Sequence, residues 1–140
     1  MEDHKLMNAL GRQIVADFHG CTADLNDPML VMKVMEQACE TAGATIVSRT
    51  GHHFSPYGVT AVVVIAESHI AIHTWPEFGY AAVDFFTCGE SVNPWVAFEY
   101  AKKALGATRV ELHEVVRGVL SDDEKRAAAA YESQCATAAA

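Results

Sequence analysis

The stretch AESHIAIHTWPEFGYAAVDFFTCG, residues 66–89, sets Glu67, Ser68, His69, His73, Glu77 and Cys88 among residues that otherwise belong in a core. A hydroxyl, two imidazoles, two carboxylates and a thiol are the groups that serve as nucleophile, general base and general acid. The stretch reads as two extended segments joined by a tight turn at PEFG. If that turn centres on Glu77–Phe78, the numbers of antiparallel partners sum to about 155 or 156. Ser68 then lies opposite Thr87 or Cys88, so Ser68 and Cys88 are neighbours on one chain. His73 lies five residues beyond Ser68, roughly 16 Å along an extended strand. It cannot reach its own Ser68 unless the strand bends sharply. Across a two-fold dimer, the partner's copy of this histidine can. The expectation is a composite site, with Ser68 and Cys88 from one chain and His73 from the other.

Each of these residues also has an ordinary reading. A lone serine in an apolar strand is usually only hydrogen-bonded, and a lone cysteine is a small buried hydrophobe. His69 reads as structural, satisfied by backbone, and His52 and His53 as loop residues at the rim of the site. His52, His53, His73 and Cys88 offer zinc-binding atoms, but no pair among them has close-set ligand spacing, so no metal is expected. Asp84 is an acid in a strand otherwise apolar, and the sequence names no partner for it.

The elements that must hold these residues follow from pattern. Residues 12–19 alternate as a first strand. Asp27 as N-cap and Pro28 at N1 start a helix to about Ala42, with Leu30, Val31, Val34, Met35 and Ala38 on one face. ATIVSRTGHHF is a second strand and SPYG a turn. VTAVVVIAES is a third strand, β-branched and apolar on both faces. HIAIHTW continues in extended form, and YAAVDFFTC returns after PEFG. Asn93 and Pro94 start a second helix that ends near Leu105–Gly106, and TRVELHEVVRG is a last strand. Ser121 and Glu124 form a capping box at the head of an alanine-rich tail.

The order is β-α-β-β-β-α-β, or one strand more if the chain bends near His69. The fold class is α+β: an antiparallel sheet with two helices on one face, a two-layer sandwich. Val62 and Val64 point to one side of the third strand and Val63 and Ile65 to the other, so the second face needs a cover. Sheet-on-sheet homodimerisation into a four-layer αββα sandwich supplies it.

With 140 residues and 51% hydrophobic content, the chain holds one domain with a real core. That domain is placed at residues 1–120, with 121–140 a surface helix and disordered tail. The formal net charge of −8 argues against nucleic acid and anionic membrane partners and suits a cationic or zwitterionic ligand. The longest apolar run, residues 61–66, is far too short to span a bilayer. The N-terminus lacks the apolar segment of a secretion signal. Cys21, Cys39, Cys88 and Cys135 are widely spaced, which suits cytoplasmic thiols.

LGRQIVADFHGC, FSPYGVT, ESHIAIHTWPEFGYAAVDFFTCG and the late RG at Arg117–Gly118 resemble the prokaryotic S-adenosylmethionine decarboxylases over about residues 10–118. That family supplies aminopropyl groups for spermidine through a pyruvoyl cofactor made from its own serine. The resemblance implies cleavage between Glu67 and Ser68, with Ser68 becoming the pyruvoyl group that forms a Schiff base with S-adenosylmethionine. It implies that His73 is the proton acceptor in processing and Cys88 the proton donor in decarboxylation. Phe54 and Glu77 are implied to bind substrate. Thr60 stands where the family usually has a serine that assists processing; it keeps the hydroxyl but restricts its rotamer. The expected protein is a cytoplasmic homodimer of processed protomers with composite sites. Two other readings stay open: a pyruvoyl-dependent arginine or ornithine decarboxylase on the same scaffold, and an unprocessed regulatory homologue. Intact Ser68, His73 and Cys88 speak against the last.

Overall fold

Asp27 and Asn93 each precede a proline, and each starts a helix in the computed structural model, which describes residues 9–139. The reading of the N-terminus as lacking a secretion signal falls on residues 1–8, outside the described residues. Helix α1 spans Pro28–Thr41, with the Asp27 carboxylate accepting from the Met29 and Leu30 amides at 3.0 and 3.2 Å. Helix α2 spans Pro94–Leu105, where Asn93 caps the Trp95 amide at 3.0 Å and Gly106 closes the last turn at φ +67°. Proline at N1 costs neither helix a hydrogen bond, because that amide has no partner within a helix. Helix α3, Asp122–Ala139, begins where Ser121 Oγ accepts from the Glu124 amide at 3.2 Å. Its side chains through Thr137 are exposed.

The strands are β1 (Ala9–His19), β2 (Ile46–His53), β3 (Val59–Ile65), β4 (Ser68–Trp75), β5 (Tyr80–Cys88) and β6 (Arg109–Val119). They form one antiparallel sheet in the order β2-β3-β4-β5-β1-β6. The architecture is therefore α+β, with the extra strand that a bend near His69 allows. The bend falls at Ala66–Glu67, so Ser68 begins β4 and does not end β3. No glycine, asparagine or proline marks that reversal in the sequence. His52 and His53 are the last two residues of β2, as the second-strand reading of ATIVSRTGHHF has them and not the loop reading.

Alternation divides the sheet into two faces. Ile14, Ala16, Phe18, Val63, Ile65, Ile70, Ile72, Val83 and Phe85 face the helices and are at most 3% exposed. They meet Val31, Met35 and Ala38 of α1 and Ala97, Phe98 and Leu105 of α2. Phe98 sits between Phe18 and Phe85, with ring centroids 5.7 and 6.0 Å away. The other face carries Val15, Val62, Val64, Ala71, Phe86 and Val115, and no described helix covers it. Val15, Val64 and Val115 are about two-fifths exposed, at 38%, 41% and 41%. This open face holds most of the residues of chemical interest.

Candidate active site

Ile65 pairs with Ser68, so only Ala66 and Glu67 turn the chain from β3 into β4. Two-residue hairpin loops usually take positive φ within the turn, where glycine or asparagine tolerates it. Here the turn has neither, and Ser68 carries the positive angle at φ +144°. A side chain in this region costs on the order of 1–3 kcal/mol. The turn is pinned from outside: the Glu67 carboxylate accepts from the Thr45 amide at 2.9 Å, and the Ala66 amide donates to the Thr45 carbonyl at 2.8 Å.

Two donors converge on the peptide carbonyl of Glu67. The Cys88 amide donates to it at 2.7 Å and the Cys88 thiol at 2.9 Å. Attack by Ser68 Oγ on that carbonyl carbon develops negative charge on the oxygen the two donors hold. Their distances are those of an oxyanion hole. Ser68 pairs with Thr87 on β5, a sum of 68 + 87 = 155, as the turn at PEFG predicts. Cys88 lies one residue on, at the exposed end of the strand.

His73 is elsewhere. Strand β4 runs unbroken from Ser68 to Trp75, paired to β5 throughout, so five residues keep the two side chains roughly 16 Å apart along the strand. His73 pairs with Thr60 across β3, and His73 Nδ1 lies 2.9 Å from Thr60 Oγ1. When Nδ1 carries the hydrogen and donates to Thr60, Nε2 keeps its lone pair and faces solvent as a base. Phe54 is 48% exposed and meets His52 edge-on at 4.5 Å. Glu77 is exposed on the 3-10 turn Pro76–Phe78 that links β4 to β5. The expected residues therefore form two groups at opposite ends of β4, one at Glu67, Ser68 and Cys88, the other at Thr60, His73, Phe54 and Glu77.

His69, expected to be satisfied by backbone, instead packs edge-on against Phe86 at 5.6 Å. Asp84 pairs with Ala71 and Val15 at the middle of the open face and has no partner among the described residues. His52, His53, His73 and Cys88 do not converge on one point. Among the described residues, Asp17, His19 and Glu111 do, with one donor atom each within 4.8 Å of one another. Sequence reasoning missed this cluster. Asp17 and His19 share a face of β1, but Glu111 joins them only through the long-range pairing of β1 with β6. Beside them Tyr80 donates its hydroxyl to Asp17 Oδ1 at 2.6 Å. Burial, that hydrogen bond and the charges of Asp17 and Glu111 push the Tyr80 phenol up to about 12.

The S-adenosylmethionine decarboxylase family profile matches residues 12–118. An S-adenosylmethionine decarboxylase proenzyme of Thermotoga maritima is 57% identical over 113 residues, covering 80% of this chain and 87% of that protein. The proenzymes of Acidithiobacillus ferrooxidans and Acetivibrio thermocellus are 54% and 52% identical, and cover 80% and 85% of this chain and 85% and 97% of their own. The crystal structure of the adenosylmethionine decarboxylase from Aquifex aeolicus superposes with a TM-score of 0.76 at 37% identity, covering 82% of this chain and 96% of that one. The chain belongs to the S-adenosylmethionine decarboxylase family.

Proposed function

We propose that the chain decarboxylates S-adenosylmethionine for spermidine synthesis, using a pyruvoyl group made from its own Ser68. The observation that carries this reading is the Glu67–Ser68 peptide: its carbonyl oxygen is held by two donors of Cys88 and its serine stands at φ +144°. Ser68 Oγ attacks the Glu67 carbonyl carbon, and the peptide becomes an ester. His73 of a second copy takes the Ser68 α-proton, and β-elimination releases residues 1–67 with a free carboxylate. Water then replaces nitrogen at residue 68, and ammonia leaves.

A pyruvoyl group at residue 68 would supply a carbonyl for the substrate amine and a sink for the electron pair left behind by CO2, as pyridoxal phosphate does. Cys88 returns a proton to the former α-carbon. Phe54 offers a ring to the adenine or the sulfonium, and Glu77 accepts from ribose hydroxyls. The open face, apolar at Val15, Val62, Val64, Ala71, Phe86 and Val115, is covered by the same face of a second copy, giving a four-layer αββα homodimer. A two-fold axis through such a dimer brings the His73 end of one copy to the Ser68 end of the other. Four unpaired cysteines suit action in the reducing cytoplasm.

Intact-mass analysis of the purified protein tests this reading. Two chains are expected, residues 1–67 and 68–140, the second beginning in pyruvoyl. Release of CO2 should follow addition of S-adenosylmethionine and not of arginine or ornithine. A single full-length chain that retains its serine would overturn the reading. Decarboxylation of arginine or ornithine would replace the substrate and keep the cofactor.

A further inference from the structure

We infer that Arg117 binds the α-carboxylate of the substrate, its guanidinium being held over Phe86 beside Cys88. The inference rests on the function proposed above. Strand β6 sets Arg117 opposite Gly11, and β5 sets Cys88 opposite Gly11 from the other side. The three share one row of the open face, with Cys88 and Arg117 on the strands either side of a residue that has no side chain. Gly11 must be glycine, because a Cβ there would stand 2.9 Å from Phe86 Cε2 and 3.0 Å from the Thr87 carbonyl oxygen. The Phe86 ring thus lies across Gly11. The guanidinium carbon of Arg117 is 5.4 Å from the centroid of that ring, and Nη1 donates to Gln13 Oε1 at 2.8 Å. His69, the residue after Ser68, meets the same ring edge-on. His69, Phe86 and Arg117 form a stack from the cleavage site to β6.

Charge singles Arg117 out. The other four described arginines each have a carboxylate: Arg12 with Glu114, Arg49 with Glu36, Arg109 with Glu111 and Arg126 with Asp123. Arg117 has none within ion-pair distance among the described residues, in a chain with 18 acidic side chains and 10 basic ones. A substrate whose amine is joined at residue 68 bears its carboxylate on the same carbon. The guanidinium fork matches a carboxylate in two parallel hydrogen bonds. The carboxylate leaves as neutral CO2, so this ion pair belongs to the bound substrate and fades as the bond breaks. It contributes to affinity and not to the chemical step.

The test compares substrate with product on the self-cleaved protein. Arg117→Met should raise KM for S-adenosylmethionine about 10- to 100-fold, the range of a hydrogen-bonded charge pair, and should not lower kcat, because an interaction that fades before the transition state does nothing to speed the chemical step. Inhibition by decarboxylated S-adenosylmethionine, which lacks the carboxylate, should not change. Arg117→Lys, with the charge but not the fork, should raise KM less. If Arg117→Met is not cleaved, Arg117→Lys carries the same comparison. An unchanged KM in a wild-type background that cleaves and releases CO2 overturns this inference alone. Parallel loss of substrate and product affinity, or loss of the dimer in sedimentation, also overturns it, because Arg117 would then be a packing residue. A wild-type chain that neither cleaves nor releases CO2 overturns the proposed function itself.

Discussion

The two ends of β4 differ in what they contain and in how tightly it is held. At the Ser68 end, the amide and the thiol of Cys88 meet one carbonyl within 2.9 Å, and the serine backbone is held out of its ordinary range. Among the described residues the imidazole at this end, His69, packs edge-on against Phe86. At the His73 end, an imidazole, an exposed phenylalanine and a carboxylate stand open to solvent, tied mainly by the Thr60–His73 contact. On the proposed function, one end holds the bond that breaks and the other holds the base, His73, with the side chains that meet substrate. A single chain then carries two half-sites, and a second copy joins them.

The strongest way to break that comparison is to separate the halves genetically. His73→Ala should slow self-cleavage by about 10²- to 10⁴-fold, the usual contribution of a general base. Ser68→Ala should abolish cleavage. Co-expression of the two variants should restore one working site per mixed dimer, because the His73→Ala chain supplies Ser68 and the Ser68→Ala chain supplies His73. Mass spectrometry that finds no cleavage in a mixed dimer of verified composition would show that the two ends do not cooperate across chains.

A change confined to the Ser68 end should separate its two tasks. Cys88→Ser keeps a hydroxyl to donate to the Glu67 carbonyl but is a far weaker acid. Cleavage should persist, whereas turnover should fall by about 10²-fold or more. Protonation on the cofactor side then leaves alanine at residue 68. Mass spectra of that chain before and after substrate should show the alanine-terminated form accumulating. Unchanged turnover with no such product would assign the acid to another group.

At the His73 end a smaller effect is expected. Thr60→Val removes the hydroxyl that orients Nδ1 of His73 and should slow cleavage about 5- to 10-fold, the worth of one ordinary hydrogen bond. Thr60→Ser should cleave at least as fast as wild type, since it keeps the hydroxyl and frees its rotamer. Time courses of chain cleavage on a denaturing gel distinguish these outcomes.

The smallest effect concerns stability alone. The Tyr80 phenol has its pKa raised from 10 to about 12 in the folded chain, so the folded state holds that proton more tightly than the unfolded one. Its contribution is full below about pH 10 and is lost as pH rises through about 12. Tyr80→Phe should therefore flatten the alkaline loss of stability seen by denaturant unfolding across that range. Cleavage should proceed unchanged, because Tyr80 touches neither half-site. Altered cleavage would tie the Asp17 cluster to the chemistry.

Much of this arrangement was legible because local signals marked it. Asp27–Pro28 and Asn93–Pro94 announce both packed helices, and Pro76 with Gly79 fixes the β4–β5 turn and hence the partnership of Ser68 with Thr87. The separation of Ser68 from His73 followed from strand rise alone. The reversal at Ala66–Glu67 was not legible as a turn, because its positive φ is carried by Ser68, a residue that normally avoids it. The convergence of Asp17, His19 and Glu111, and the placing of Arg117 beside Cys88, were out of reach for another reason. Both depend on β1 lying between β5 and β6, a pairing of strands distant in sequence that no local pattern encodes.

The tight turn before Ser68 has a consequence for how molecules of this protein can be counted. Its geometry exists only when β3, β4 and β5 are in register, since Ile65, Thr87 and the end of β5 all help to hold it. If the chain cleaves itself as proposed, a severed chain is a permanent record that its molecule once reached the assembled sheet beside a second copy. The ratio of the two bands on a gel becomes an archive of folding history, readable after the sample has been boiled. The archive would be written once per molecule, because the proposed cleavage consumes the serine that makes it.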